Sequence, residues 1–246
     1  DKIDGVFPVY VAEKEIYLEI PEKYIGREIE VSGQIDRGFD LLNRPVDGLG
    51  VVRIISPDKA TICFQTPFYT ERILDEKSTY QQSFSLSNMQ PAGKSYPVVA
   101  YSKEQGAIIR ITEYLMTGDD WFSYNDSFIR SLVPELSEIM KIHPFKEGVS
   151  FTVRRYHGVE AERYMLSSSA VLLPEGSMPL EVTCVVRLLP LKRDQIRLAD
   201  YRIPYRTLSF KDYSQNPYCM VEDSLILRWD MSVSYTHLRA HETEAD

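Results

Sequence analysis

The sequence predicts a β-dominated α+β fold, built from antiparallel, hairpin-linked strands with one helical segment near residues 126–142. Two observations predict the strands. Apolar and polar residues alternate along most apolar runs, which is the period of a strand with one face in a core. Short turn-forming segments separate consecutive runs, and such turns join antiparallel strands because parallel pairs need long crossovers.

Three hairpins are predicted in the first half of the chain. Their paired runs are 6–11 with 15–20, 51–55 with 60–65, and 97–101 with 107–114. Alternation is clearest where Ile16, Leu18 and Ile20 are separated by Tyr17 and Glu19. Between the hairpins the sequence predicts a helical turn or loop at 21–26, with Tyr24 and Ile25 facing inward, then a strand at 28–35 and a loop at 37–50. Residues 78–94 have no regular pattern.

A helical segment is predicted over residues 126–142, where apolar residues recur three and four positions apart. Asn125 or Asp126 can cap its first turn. Pro134 lies inside the pattern, so it is predicted to split the segment and to begin a second short helix. The apolar positions are Phe128, Ile129, Leu132, Val133, Leu136, Ile139 and Met140. Further strands are predicted at 149–156, 163–173, 180–189, 205–210 and 224–229.

Chain length and composition predict the domain organisation. A chain of 246 residues can bury a sizeable core, and we expect one β-rich, non-catalytic domain over residues 1–231, with a subdivision near 118–148 as the alternative. Residues 232–246 resemble a translated sequencing adapter and are predicted to be an artefactual or disordered tail. Its His237 and His241 have the spacing of one helix face but lack the glutamate of known zinc motifs.

Charge and hydropathy exclude several classes of function. The formal net charge of −8 disfavours nucleic-acid binding, which needs clustered Lys and Arg. No run approaches the roughly 18 apolar residues of a membrane helix. Because the chain opens on Asp1 and not on Met, we expect a processed product or an excised fragment, and a missing leader says nothing about compartment.

The sequence lacks the HExxH, G-x-S-x-G, G-x-x-x-x-G-K-[ST] and strand-linked G-x-G-x-x-G signatures. Asp119 and Asp120 are interpreted as an acidic capping turn, because side chains of sequence neighbours point apart. His143 is expected to end the helix and His157 to lie in a hairpin turn, and neither has a ligand partner at metal-binding spacing. Ser167–Ser169 is expected to pack within a strand. No catalytic, cofactor-binding or metal-ligating residue is therefore predicted.

The cysteines and tyrosines give weaker signals. Cys63, Cys184 and Cys219 are widely spaced and odd in number, so they predict no disulfide framework. Cys63 and Cys184 each lie in an apolar run and are predicted to be buried, inert thiols. The 16 tyrosines are compatible with a sugar- or peptide-binding face, although Tyr is also common in ordinary sheets.

Four segments, in order along the chain, carry a family resemblance. They are Asp4–Tyr10 with Ile16–Pro21, Asp126–Phe145, Ala170–Pro179 and Leu198–Trp229. They resemble the "DGLF-x-VY … YLEIP" opening, the "D-x-SF-x-x-S-x-x-x-FP" helix, the "LLPE-x-PM" segment and the close of a non-catalytic domain of unknown function. That domain precedes a metzincin-like catalytic domain in a family of exported bacterial zinc-dependent metallopeptidases.

The resemblance implies an accessory domain separated from its catalytic neighbour. In that family an HExxH helix and a third His hold zinc, and Glu is the general base that activates the bound water. None of these residues occurs here, so zinc is expected only in the missing catalytic domain and this chain is expected to be inactive. The implied partner is the catalytic domain of the same parent chain, and the implied location is periplasmic, outer-membrane-associated or secreted.

Several roles stay open at this point. An accessory domain could scaffold the catalytic domain, shield its cleft as a pro-segment does, or help to select substrate. The scaffold reading predicts an apolar docking patch around the last strand. A free-standing glycan- or peptide-binding module of the cell envelope predicts a contiguous exposed stripe of Tyr and Trp. A carboxylate-based hydrolase would require two acidic side chains that converge in a cleft with raised pKa values.

Overall fold

The computed structural model describes most of the chain. The described residues are 1–38, 46–67, 71–73, 77, 80–87, 89–117, 122–123, 131–159, 163–166, 169–172, 176–191, 197–200, 202, 206–213 and 221–226. The strands are β1 (Lys2–Ile3), β2 (Val9–Ala12), β3 (Glu15–Ile20), β4 (Glu28–Arg37), β5 (Val46–Asp58), β6 (Thr61–Gln65), β7 (Glu71–Arg72), β8 (Lys94–Tyr101), β9 (Ala107–Arg110), β10 (Phe122–Ser123), β11 (Ser131–Leu132), β12 (Glu138–Phe145), β13 (Gly148–Val159), β14 (Arg163–Leu166), β15 (Ser169–Leu172), β16 (Gly176–Leu188), β17 (Thr207–Asp212) and β18 (Val221–Ile226). The helices are α1 (Gln81–Ser87) and α2 (Thr112–Thr117).

Two compact units contain these elements. The first comprises Asp1–Pro67 and Gln90–Leu191. It holds a 13-stranded antiparallel sheet in the order β1-β2-β3-β9-β8-β6-β5-β4-β16-β13-β11, to which β10 adds beside β5 and β12 beside β13, and a separate β14–β15 hairpin. The second comprises Phe68–Met89 and Lys192–Asp246 and holds the three-stranded sheet β18-β17-β7. The predicted β-dominated fold class is confirmed, and the domain boundaries at 231 and near 118–148 stay predictions.

Alternation along the strands builds the core of the first unit. On β13, Val149, Phe151 and Val153 are buried, while the residues between them are only partly buried. Their partners Val182, Cys184 and Val186 on β16 are buried in the same way, because side chains of paired positions share a face of the sheet. The same cluster includes Leu18 and Ile20 of β3, so the predicted in-and-out pattern of that strand is confirmed.

The predicted helix near 126–142 is wrong over the part of it that the structure describes. Residues 131–132 form β11, Pro134–Leu136 form one 3-10 turn that begins at the proline, and Glu138–Phe145 form β12. A β-bulge at Met140 explains part of the error. Ile139 pairs with Val153 and Ile142 with Phe151, so the extra residue brings two isoleucines three positions apart onto one face. In the sequence this spacing imitates a helix. Residues 124–130 lie outside the described part.

Helix α2 replaces the end of a predicted strand. The third hairpin forms as expected, but β9 ends at Arg110 and not at residue 114. The Thr112 hydroxyl accepts a hydrogen bond from Ile16 N at 2.7 Å and donates one to Glu15 Oε2 at 2.6 Å. The Thr112 side chain thus accepts the hydrogen bond of the Ile16 amide that the next ladder partner would accept. The strand therefore ends here and the backbone continues as a helix.

Other predictions need smaller corrections. The turn at Glu22–Tyr24 is confirmed as a 3-10 helix, but Ile25 beside it is 39% exposed and does not face inward as expected. Residues 46–50 of the predicted loop at 37–50 belong to β5, and 39–45 lie outside the described part. Helix α1 occupies part of the unassigned segment 78–94. In the described part of the chain, no helix has the length and apolarity of a membrane span.

Candidate functional site

A groove of about 670 Å³ lies in the first unit where the two ends of its large sheet face each other. β12 and the 3-10 turn before it form one wall, and β1 to β3 form the other. The apolar lining residues are Ile3, Val11, Ile16, Met116, Leu136, Ile139, Met140 and Ile142. This volume is typical of ligand sites, which span about 300–1,000 Å³. We call this feature the β12 groove.

The bulge in β12 shapes the first wall. Ile139 and Ile142 pack against the core, whereas Met140 is 44% exposed at the groove surface. Leu136, in the 3-10 turn, is 51% exposed beside it. Pro134 at the start of this turn fixes the backbone dihedral that the turn needs. The wall therefore has an anchored apolar base and two accessible apolar side chains above it.

The second wall is the β2–β3 hairpin with β1 beside it. Glu13 has a positive φ of 56° in the two-residue turn, which lets β2 reverse directly into β3. Ile16 is 3% exposed and forms part of the base, while Ile3 and Val11 pack partly against the core. The walls meet at one end, since a Cβ atom built on Gly5 would lie 3.2 Å from Pro144 Cβ. The groove is therefore closed at the Pro144 end.

The outer edge of β12 faces into this groove. β12 pairs with β13 along one side from Glu138 to Phe145. Within the described ranges, no backbone hydrogen bond reaches its other side. A strand edge of this kind presents N–H and C=O groups that are ready to pair with another strand.

Charges of both signs border the groove. Glu13 and Lys14 lie on the hairpin wall, and Glu135 and Lys141 lie on the β12 wall. Glu138 accepts a hydrogen bond from Arg154 Nη1 at 2.8 Å. The border is therefore electrically mixed, which favours neither a polyanion nor a polycation.

Two ionisable side chains of β13 lie on its core-facing side. Arg155 is 2% exposed, and burial lowers its guanidinium pKa to about 10. His157 is 8% exposed, and burial, together with the charge of Arg155, lowers its pKa to about 4. Among the residues that the structure describes, none forms a hydrogen bond with its Nε2 atom. His157 is therefore a neutral imidazole at neutral pH.

The secondary structure predicted around each of the two histidines is wrong. His157 lies within β13 opposite Met178, not in a turn, and His143 lies within β12 opposite Ser150, not at a helix end. Ser150 and His157 are seven positions apart on β13, which is roughly 23 Å at strand spacing. Among the described residues, no group of three His, Cys, Asp or Glu side chains is arranged to hold a metal ion.

The buried carboxylate of Glu19 has a structural role. It accepts hydrogen bonds from the Tyr10 hydroxyl at 2.7 Å and from the Ser102 hydroxyl at 2.6 Å. Gly106 packs directly on it, since a Cβ there would lie 2.1 Å from Glu19 Oε1. This cluster fastens the β2–β3 hairpin to the turn between β8 and β9.

The remaining sequence candidates are structural or lie outside the described part. Cys63 and Cys184 are buried as predicted, and burial raises the pKa of both thiols. Asp119, Asp120 and the serines at 167 and 168 are among the residues that the structure does not describe, as are Cys219 and the tail at 232–246.

A second, shallower pocket of about 470 Å³ lies on the outer face of the same unit. Arg37, Arg154 and Glu181 supply its charges, and Tyr156 and Met178 supply apolar surface. Arg154 Nη2 donates a hydrogen bond to Glu181 at 2.7 Å. Sequence reasoning missed both pockets, because each is assembled from strands that are distant in the chain. The high tyrosine content of the sequence is the kind of signal that could have indicated the second pocket, which Tyr156 lines.

The fold defines a β-rich domain with a groove beside a strand edge. The family described as a domain of unknown function (DUF5117) matches residues 50–234, and the chain belongs to that family. No curated protein and no solved structure matches the chain.

Proposed function

We propose that this chain is a non-catalytic accessory domain of an exported bacterial zinc-dependent metallopeptidase, and that it acts by binding polypeptide. The β12 groove carries this proposal. It offers an apolar base, an unpaired strand edge among the described residues and a volume suited to a ligand. The ordered resemblance of four sequence segments supports the parent class, and membership of the family of unknown function is compatible with it.

The groove favours two of the three accessory roles. A pure scaffold needs a flat docking surface, whereas a pro-segment-like shield or a substrate-selecting domain has to hold an extended chain. An apolar groove beside an open strand edge is suited to holding such a chain, because backbone pairing gives affinity and side-chain contacts give selectivity. Substrate selection or shielding is therefore the role we propose.

The second unit provides apolar surface for a partner domain. Leu198 and Leu208 are 51% and 46% exposed. Leu208 pairs with Leu225 of β18, and Ala199, next to Leu198, donates a backbone hydrogen bond to Ser224 of the same strand at 2.7 Å. Exposed leucines beside the last described strand are what docking to a following catalytic domain requires.

Two measurements test this function. The uninterrupted parent gene should encode an HExxH helix downstream of Trp229. The purified chain should not cleave casein, whether or not a chelator is present. Adding the chain to the parent catalytic domain should change the cleavage of polypeptide substrates. A parent gene without a peptidase domain, or chelator-sensitive proteolysis by this chain alone, would refute the proposal.

The outer pocket favours a second candidate, a glycan-binding module of the cell envelope. The half-buried Tyr156 ring beside Arg37 and Glu181 offers both stacking and hydrogen bonding to a sugar. However, only Tyr80 and Tyr101 are largely exposed among the described tyrosines, and they belong to different units. A glycan array distinguishes the candidates: binding that Tyr156→Ala abolishes and Met140→Arg leaves intact would favour the module.

A further inference from the structure

We propose that the β12 groove binds one extended polypeptide segment, which adds to the large sheet as a strand beside β12. This inference rests on the proposed function and names the chemistry of its ligand. The segment has apolar side chains at alternate positions and little net charge. Each property follows from a different feature of the groove.

Backbone hydrogen bonding selects an extended polypeptide. Along Glu138–Phe145 the described part of the structure shows a ladder on one side of β12 only. The groups on the other side point into the groove, where a strand can satisfy them without any change of fold. A glycan or a compact apolar ligand would leave this row of donors and acceptors without regular partners.

The walls limit the occupant to a single strand. Ile3, Val11 and Ile16 stand opposite β12 across the groove. The walls also meet where Gly5 lies against Pro144. A single extended segment fits between two walls more readily than the edge of a second folded sheet, which carries its own neighbouring strand. A chain end or a flexible segment can enter from the open end, beside Lys14 and Leu136.

The lining selects alternating apolar residues. In an extended segment, successive side chains point to opposite faces of the sheet. One face of a bound segment would lie on the base formed by Ile16, Ile139 and Ile142, and the other would face outward. Three carboxylates border the groove, Glu13, Glu135 and Glu138, together with the ammonium groups of Lys14 and Lys141. Because Glu138 is paired with Arg154, the remaining charges balance, which matches a segment of low net charge.

The test uses the peptide acetyl-Lys-Thr-Val-Thr-Val-Thr-Val-Glu-amide, in which Lys and Glu balance each other, with binding to the intact chain measured by isothermal titration calorimetry. A second peptide carries N-methyl groups on its central valine and on the threonine that follows it, so it keeps the side chains and loses a backbone donor on each edge of the strand. We expect the first peptide to bind and the N-methylated peptide to bind at least about tenfold more weakly.

Three variants locate the site. Leu136→Arg and Met140→Arg place a charged side chain at exposed positions of the groove and should each weaken binding at least about tenfold. Val99→Arg on β8 is the matched control, because Val99 is also about half exposed and lies away from the groove. It should leave affinity unchanged, and circular dichroism should show the same fold for all three.

The outcomes separate the inference from the function it rests on. Equal binding of the two peptides, or equal binding by Met140→Arg and Val99→Arg, would overturn the strand-pairing inference. A dimer in sedimentation velocity that Met140→Arg dissociates would also overturn it, because a second copy would then cover β12. Neither result bears on whether the parent is a metallopeptidase, which the gene and the proteolysis assay decide.

Discussion

Arg155 binds the backbone carbonyl of Leu115 with two hydrogen bonds, 3.1 Å from Nε and 2.7 Å from Nη2. Leu115 is in α2, whose last carbonyls have no partner within the helix. A buried cation at this end is favourable because the carbonyl dipoles point toward it. The pair ties α2 to β13 beneath the groove, and α2 in turn supplies Met116 to the groove lining.

Removing this tie should destabilise the chain. Arg155→Met leaves the Leu115 carbonyl buried without these bonds, and we expect the free energy of unfolding to fall by about 3 kcal/mol. Arg154→Met is the matched control on the opposite face of β13. Its side chain is partly exposed and its ion pairs with Glu138 and Glu181 are accessible to water, so the expected loss is much smaller. Urea denaturation measures both, and similar losses would contradict this account.

The buried imidazole of His157 predicts a pH dependence of stability. Its pKa is lowered from 6.5 to about 4 in the folded chain. The unfolded chain therefore takes up a proton as the pH falls below 6.5, while the folded chain does so only near pH 4. Stability should fall through this window, by at most about 3 kcal/mol.

A pair of variants isolates the contribution of His157. His157→Leu removes the buried Nε2, which has no partner in the described part of the chain, and should flatten the stability change between pH 6.5 and 4. His143→Leu changes an exposed histidine of β12 and should keep the wild-type slope. Denaturation midpoints measured across the window are the readout. An unchanged slope in His157→Leu would show that the imidazole is accessible to protons in the folded chain.

The local alternation of apolar and polar residues is sufficient to predict the hairpins of the first unit. The β2–β3 pair follows from strict alternation with Glu13 and Lys14 as the turn, and the β5–β6 and β8–β9 pairs follow from the same signal. The helix prediction failed because the apolar spacing over the described residues 131–142 comes from β11, a 3-10 turn and the bulged strand β12, which together imitate a helical period. Sequence alone gives no sign of a bulge, since the register depends on the partner strand.

The candidate site could not be predicted from local sequence patterns, because its lining residues are far apart in the chain. The groove brings Ile3 and Val11 opposite Ile142, which lies more than a hundred residues away in the chain. Only the order of strands in the sheet creates this proximity. His157 was likewise placed in a turn because His-Gly resembles one, whereas its burial comes from pairing with β16.

Two glycines should differ sharply in their tolerance of alanine. A Cβ on Gly148 would lie 2.0 Å from the Val186 carbonyl oxygen, so Gly148→Ala forces β13 and β16 apart. We expect a loss of about 3 kcal/mol. Gly26 has a φ of +85° but open space around it, so Gly26→Ala should lose only about 1 kcal/mol. Thermal and urea unfolding measure the difference, and equal tolerance would contradict the β13–β16 register.

The buried thiols should be unreactive. Burial raises the pKa of Cys63 and Cys184, so little thiolate exists at neutral pH. In a Cys219→Ser background, Ellman's reagent should modify neither thiol until guanidinium is added. Val99→Cys in the same background supplies an exposed thiol and should react at once. Rapid native-state modification of Cys184 would show that β16 opens readily.

Amide hydrogen exchange along Glu138–Phe145, followed by NMR with and without the valine–threonine peptide, tests the unpaired edge of β12 most directly. In the free chain, amides bonded to β13 should be protected and those on the outer edge should exchange rapidly, as expected for a one-sided ladder. The peptide should protect the outer amides and leave those of β8 unchanged. Uniform slow exchange along β12 in the free chain would contradict the account, because the edge would already be paired.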